Sequence, residues 1–119
     1  MEKYLAKIVY KIVNQNTSKL EQFDEQLCLV EARSFEEAFF KARMLGVKNE
    51  DEITTDSGNG VFWEFVDIPF LKLIEEFKDG TELYSCITER DKEENYERFV
   101  KSRAAELQTQ VDQPQKMTA

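Results

Sequence analysis

Residues 3–13 alternate in character. Tyr4, Ala6, Ile8, Tyr10 and Ile12 fall on one side of an extended chain, and Lys3, Lys7 and Lys11 fall on the other, with Leu5, Val9 and Val13 between them. The same lysines sit four apart and would also form a stripe on a helix. The β-branched Ile8, Val9, Ile12 and Val13, the two tyrosines and the lack of a capping residue ahead of them decide for a strand. Asn14-Gln15-Asn16-Thr17-Ser18 is a polar turn leading to a second strand, about Gln22 to Ala32, with Phe23, Leu27 and Leu29 on one face and Cys28 and Val30 on the other. An antiparallel hairpin of the two strands would set Lys3, Lys7 and Lys11 against Glu21, Glu25 and Glu31, pairs that help choose the register.

The pattern then changes period. Ser34-Phe35-Glu36-Glu37 has the form of a capping box, and Phe35, Ala38, Phe39, Ala42 and Leu45 recur at helical spacing until Gly46, which is expected to end the helix. Glu52 to Thr55 reads as a short polar strand, followed by the glycine-bearing turn Asp56-Ser57-Gly58-Asn59-Gly60. Val61-Phe62-Trp63-Glu64-Phe65-Val66-Asp67 is apolar on both faces, which predicts a central strand. Pro69 opens a connector to Phe77 that the pattern leaves as either helix or extended chain. Asp79-Gly80 marks a turn before a strand from Thr81 to Thr88. Asp91, with Glu94 three residues on, caps a long helix. Its apolar stripe is Tyr96, Phe99, Val100, Ala104 and Leu107, and Glu94–Arg98 and Glu97–Lys101 are favourable pairs along it.

The order strand, strand, helix, strand, strand, strand, helix predicts an α+β fold, with a mostly antiparallel sheet of about five strands carrying helices on one side. The 119 residues make one domain, expected over 1–108, with 109–119 a polar, flexible tail.

Composition narrows the chemistry. Apolar residues make up 41 % of the chain, nine of them Phe, enough for a packed core. No apolar run approaches the ~18 residues that span a bilayer. Charge interrupts the N-terminal residues, where a secretory signal needs an apolar run of roughly 7–15, so a cytoplasmic location is expected. Cys28 and Cys86 lie in apolar runs and read as buried, reduced thiols. Histidine is absent, which removes the commonest general base and metal ligand; no metal or cofactor is expected. The net charge is −8. Residues 1–20 carry four lysines against Glu2, while residues 21–119 hold the remaining 12 basic and 23 acidic side chains, a balance of −11. That surface argues against a nucleic-acid partner and suits a basic one.

Individual residues offer few sites. Glu25 shares a face with Phe23 and Leu27, so it is either paired with a first-strand lysine or a carboxylate set for ligand or proton chemistry. Trp63 reads as a core aromatic. Phe40 and Met44 project from the first helix away from its core face and need a cover. Either the second helix or the 69–77 segment supplies it, or they form an interaction surface. Gly58-Asn59-Gly60 lacks the Lys-Ser/Thr of a phosphate loop, and Asp51, Glu52 and Asp56 are not spaced as a calcium loop.

Tyr4-Leu5-Ala6-Lys7-Ile8-Val9-Tyr10, Gln22-Phe23-Asp24-Glu25-Gln26-Leu27 and Asp79-Gly80-Thr81-Glu82-Leu83-Tyr84-Ser85 together resemble the signature blocks of a small bacterial domain family of unknown function, over about residues 3 to 100. The resemblance implies a bacterial, stand-alone, single-domain protein and brings no activity, cofactor or catalytic residue with it. Its shared positions Asp24, Glu25, Asp79 and Glu82 become the candidate polar site. Three functions follow as expectations: a non-enzymatic binding or regulatory module that self-associates or binds a protein partner; an acidic inhibitor or immunity-type protein for a basic partner; and an enzyme working with carboxylates alone.

Overall fold

The computed structural model describes residues 1–14, 21–58, 60–87 and 95–113. The elements are β1 (Glu2–Asn14), β2 (Gln22–Ala32), α1 (Phe35–Ser57), β3 (Val61–Ile74) and α2 (Tyr96–Asp112). The strands form one antiparallel sheet in the order β2-β1-β3. The class is the expected α+β, but among the described residues the sheet has three strands, not five.

The central strand is β1, whose Ala6, Ile8, Val9 and Tyr10 are fully buried. The alternation of its sequence is realised: Tyr4, Ala6, Ile8 and Tyr10 join Val30, Ala32, Ile68 and Leu71 under Ala38, Phe39 and Ala42 of α1. On the opposite face Val9 and Val66 meet Val100, with Phe23, Tyr96 and Phe99 around them. Two of the expected charge pairs form, both on the diagonal, and the third is met in register alone. Lys3 lies opposite Glu31. Lys7 lies opposite Leu27 and pairs with Glu25 at 3.0 Å, and Lys11, opposite Phe23, reaches Glu21 at 3.7 Å.

Ser34 caps α1 as predicted, its Oγ accepting from the Glu37 N–H at 3.1 Å. The helix does not end at Gly46. It runs on to Ser57, taking in the 52–55 segment expected as a strand, and ends at Gly58 with φ +58°. Gly46 serves a different purpose. The Phe65 ring packs against it so closely that a Cβ would fall within 2.9 Å of three ring carbons. The extra turns are held by tertiary contacts that local pattern does not reveal. Ile53 packs on the core, Glu50 Oε2 accepts from the Phe65 N–H at 2.6 Å, and Thr54 Oγ1 accepts from the Trp63 N–H at 3.1 Å.

Those bonds stand where a further strand would pair: β3, predicted as central, is an outer strand among the described residues. Its free N–H groups at 63 and 65 are covered by helical side chains. The strand also continues through Pro69 to Ile74, so most of the segment that the pattern leaves as either helix or extended chain is extended. Pro69 is tolerated because β3 is an outer strand and its register against β1 slips twice beside this point. Asp67 sits at the irregularity. Its carboxylate takes the Ile68 N–H at 2.8 Å and both Nε and Nη2 of Arg43 at 3.0 Å, while Arg43 Nη1 reaches Gln108 at 3.0 Å. One guanidinium thereby ties α1, β3 and α2 together.

The helices do not share a face of the sheet. α2 starts over Val9 and Val66, and its Leu107 and Val111 end against the cluster beneath α1. Its cap is Asn95, whose side chain accepts from the Arg98 N–H at 3.2 Å. Glu97–Lys101 is present at 3.8 Å. α2 extends to Asp112, into the 109–119 stretch that the sequence predicts as a tail. The 15–18 turn, the Asp91 cap, the Glu94–Arg98 pair and the end of the tail lie outside the described residues.

Residues 81–87 form no ladder, so the strand expected at 81–88 is absent from its described part. Asp79-Gly80 does turn, with Gly80 at φ +86° and the Thr81 N–H bonded to the Lys78 carbonyl at 3.1 Å. The chain then returns over the sheet face opposite α1.

Candidate functional site

The returning segment is held by side chains. Lys7 Nζ donates to the Tyr84 hydroxyl at 2.8 Å and lies 5.1 Å from the centre of its ring, and Lys72 Nζ donates to the Glu82 carbonyl at 3.3 Å. Tyr84 meets Phe70 edge to face at 4.9 Å. Between this segment and α2 lies a cleft of about 320 Å³. Lys7, Pro69 and Phe70 of the sheet form its floor, residues 84–87 one wall, and Tyr96, Phe99 and Arg103 of α2 the other.

Lys7 is the pivot of this region. Its side chain is 13 % exposed, and it bonds both Tyr84 and Glu25. Burial works to lower its pKa, but the Tyr84 and Glu25 bonds outweigh that and leave it raised, so the ammonium keeps its charge. Glu25, 44 % exposed, also accepts from the Tyr96 hydroxyl. This is the paired reading of Glu25: the carboxylate is held by Lys7 and Tyr96 and is not among the residues lining the cleft.

The four candidate polar residues do not converge. Asp24 points to the opposite side of β2 from Glu25, where it accepts from Gln26 at 2.8 Å and from the Trp63 indole N–H at 3.2 Å. Trp63 packs on the core as expected, with this polar contact added. Asp79 and Glu82 are exposed on the turn and the strand-less segment after it. Phe40 and Met44 are exposed at 62 % and 57 %, and Val47 at 55 % continues their line along α1. Asp51, Glu52 and Asp56 are exposed on the same helix.

Both cysteines are free. Cys28 is half-buried, which raises its pKa, with Asp24 adding to the effect. Cys86 is exposed on the cleft wall, contrary to the expectation of burial. Among the described residues no group of three Cys, Asp or Glu side chains could hold a metal ion, and no helix is long and apolar enough to cross a membrane.

The first and third of the motif blocks thus meet in space, Lys7 from one gripping Tyr84 from the other, and Glu25 of the second completes the contact. A family described as a domain of unknown function, DUF4288, matches residues 3–85. The chain belongs to this family. No curated protein and no solved structure matches it. The DUF4288 region takes in the sheet from Lys3 on, α1 and the returning segment through Ser85, whereas α2, which supplies Tyr96, Phe99 and Arg103, lies after it.

Sequence reading missed the cleft. Tyr84, Tyr96 and Arg103 are each unremarkable in their own segments, and only the fold brings them over Lys7. The available signal was Lys7 itself, a lysine between Leu5 and Val9 on a strand otherwise rich in buried residues.

Proposed function

We propose that this DUF4288 protein is a non-enzymatic binding module that associates through the outer face of α1, with a second copy of the chain as its partner. The observation that carries this reading is the line Phe40, Met44, Val47, spaced i, i+4, i+7 and more than half exposed, on a helix whose other side is fully buried through Ala38 and Ala42. Among the described residues neither α2 nor the 69–77 segment covers them. Three large apolar side chains in one row are a contact surface for another protein.

The second reading, an acidic inhibitor of a basic partner, rests on the −11 balance of residues 21–119. One experiment separates the two. Sedimentation of the wild type across a concentration series should show a dimer at low and high salt alike, and Phe40→Glu should yield a monomer with unchanged circular dichroism and melting. A monomeric wild type, or a variant that unfolds, overturns the self-association reading. If affinity capture then returns a basic protein that salt releases, the inhibitor reading takes its place.

A further inference from the structure

The cleft over Lys7 is separate from the α1 surface, and its lining has a definite chemistry. Ten described residues line it, and none is acidic, in a chain where acids outnumber bases 24 to 16. The charged groups that reach it are Lys7 and Arg103. Neither carboxylate partner is among the lining residues: Glu25 lies 3.0 Å from Lys7, and Glu106 3.5 Å from Arg103. The cleft therefore faces the positive ends of two ion pairs. Two of the three N–H donors of the ammonium go to Tyr84 and Glu25, and the guanidinium has four further N–H donors beyond its contact with Glu106.

The rest of the lining is aromatic. Phe70 and Tyr84 meet edge to face on one side, and Tyr96 stacks with Phe99 on the other, at 6.1 Å and 28°. Arg103 lies over the Phe99 ring, 5.3 Å from its centre, which holds the guanidinium at the cleft wall. A volume of about 320 Å³ is at the small end of ligand pockets, which run from ~300 to ~1,000 Å³, and suits a single ring system.

We infer that this cleft binds a small aromatic carboxylate, its ring between Phe70, Tyr84 and Phe99 and its carboxylate on Arg103 and Lys7. A planar anion satisfies the fork of the guanidinium, and the ring replaces solvent on the aromatic walls. The inference is independent of association through α1.

Nuclear magnetic resonance titration of the full chain with 2-naphthoate tests it, with 2-naphthamide as the neutral partner and acetate as the anion without a ring. Naphthoate should shift the amides of 84–87 and 96–103 in a saturable way, and the amide and acetate should each bind at least about tenfold more weakly. Arg103→Gln should weaken naphthoate by about tenfold or more, while Arg98→Gln, an exposed change on the same helix outside the cleft, should leave it unchanged. Equal binding of naphthoate and naphthamide, equal loss in both variants, shifts confined to other residues, or no saturation by about 10 mM naphthoate would each overturn the assignment.

Discussion

On the α1 side of the sheet, Ile8 and Tyr10 meet Ala38, Phe39 and Ala42 with no charge among them; on the other side, the same strand offers Lys7 to a carboxylate, a tyrosine and an open cleft. The two sides differ by one residue of register. Alternation lets a single central strand be a packed core on one face and a polar, accessible surface on the other. The difference teaches where each kind of substitution should be felt.

The largest effect should come from the closed face. Ile8→Ala should cost about 2–5 kcal/mol in denaturant unfolding, because the fully buried site leaves a cavity. Lys7→Met, one residue along on the open face, should cost no more than about 1 kcal/mol, since Glu25 is half in water and can rehydrate. Equal costs would break the contrast.

Gly46 sharpens it at the level of one carbon atom. Alanine is the better helix former by roughly 0.5–1 kcal/mol, yet here its methyl would overlap the Phe65 ring, so Gly46→Ala should destabilise by about 1–2 kcal/mol net. Phe65→Leu in the same chain should recover part of that loss. A stabilised Gly46→Ala would show that the ring moves freely.

The smallest effect is read in alkali. Burial, with smaller contributions led by Cys28, pushes the Tyr10 hydroxyl up to about 12, above the ordinary value of 10.0. The unfolded chain then loses its proton first, so the stability from this group is complete below pH 10 and is lost as pH climbs from 10 to about 12. Tyr4 and Lys7 are raised as well and act in the same direction. Tyr10→Phe should flatten part of this decline in unfolding experiments between those pH values. An unchanged slope would place the hydroxyl in water.

The hairpin, the Ser34 cap and the core stripe of α1 were legible because each is encoded within a few residues: period two in β1 and β2, a cap and its spacing in α1. The second half of α1 was not. Val47 to Ser57 is polar with a β-branched Ile53-Thr54-Thr55, and it is helical because Glu50 and Thr54 meet β3 and Ile53 meets the core. β3 reads as central because it is apolar on both faces, and these contacts take the place of a neighbouring strand at its edge. Of the candidate site, Glu25 could be found from its place on an apolar face. Its grouping with Asp24, Asp79 and Glu82 could not hold, since alternation alone sends Asp24 to the other side. Tyr84 and Arg103 carried no periodic signal at all.

The side chains that cover the outer edge of β3 also limit how such sheets can join. From Trp63 to Pro69, the N–H groups at 63, 65 and 68 are already taken, and position 69 has none. An incoming strand finds no row of donors there, while β2 borders β1 on one side only among the described residues. In polymer terms that stretch of β3 offers no joint, although the strand itself runs on to Ile74. A building block grows into a fibre only where both of its edges can pair, and between Trp63 and Pro69 this one meets an incoming strand with its donors already spent.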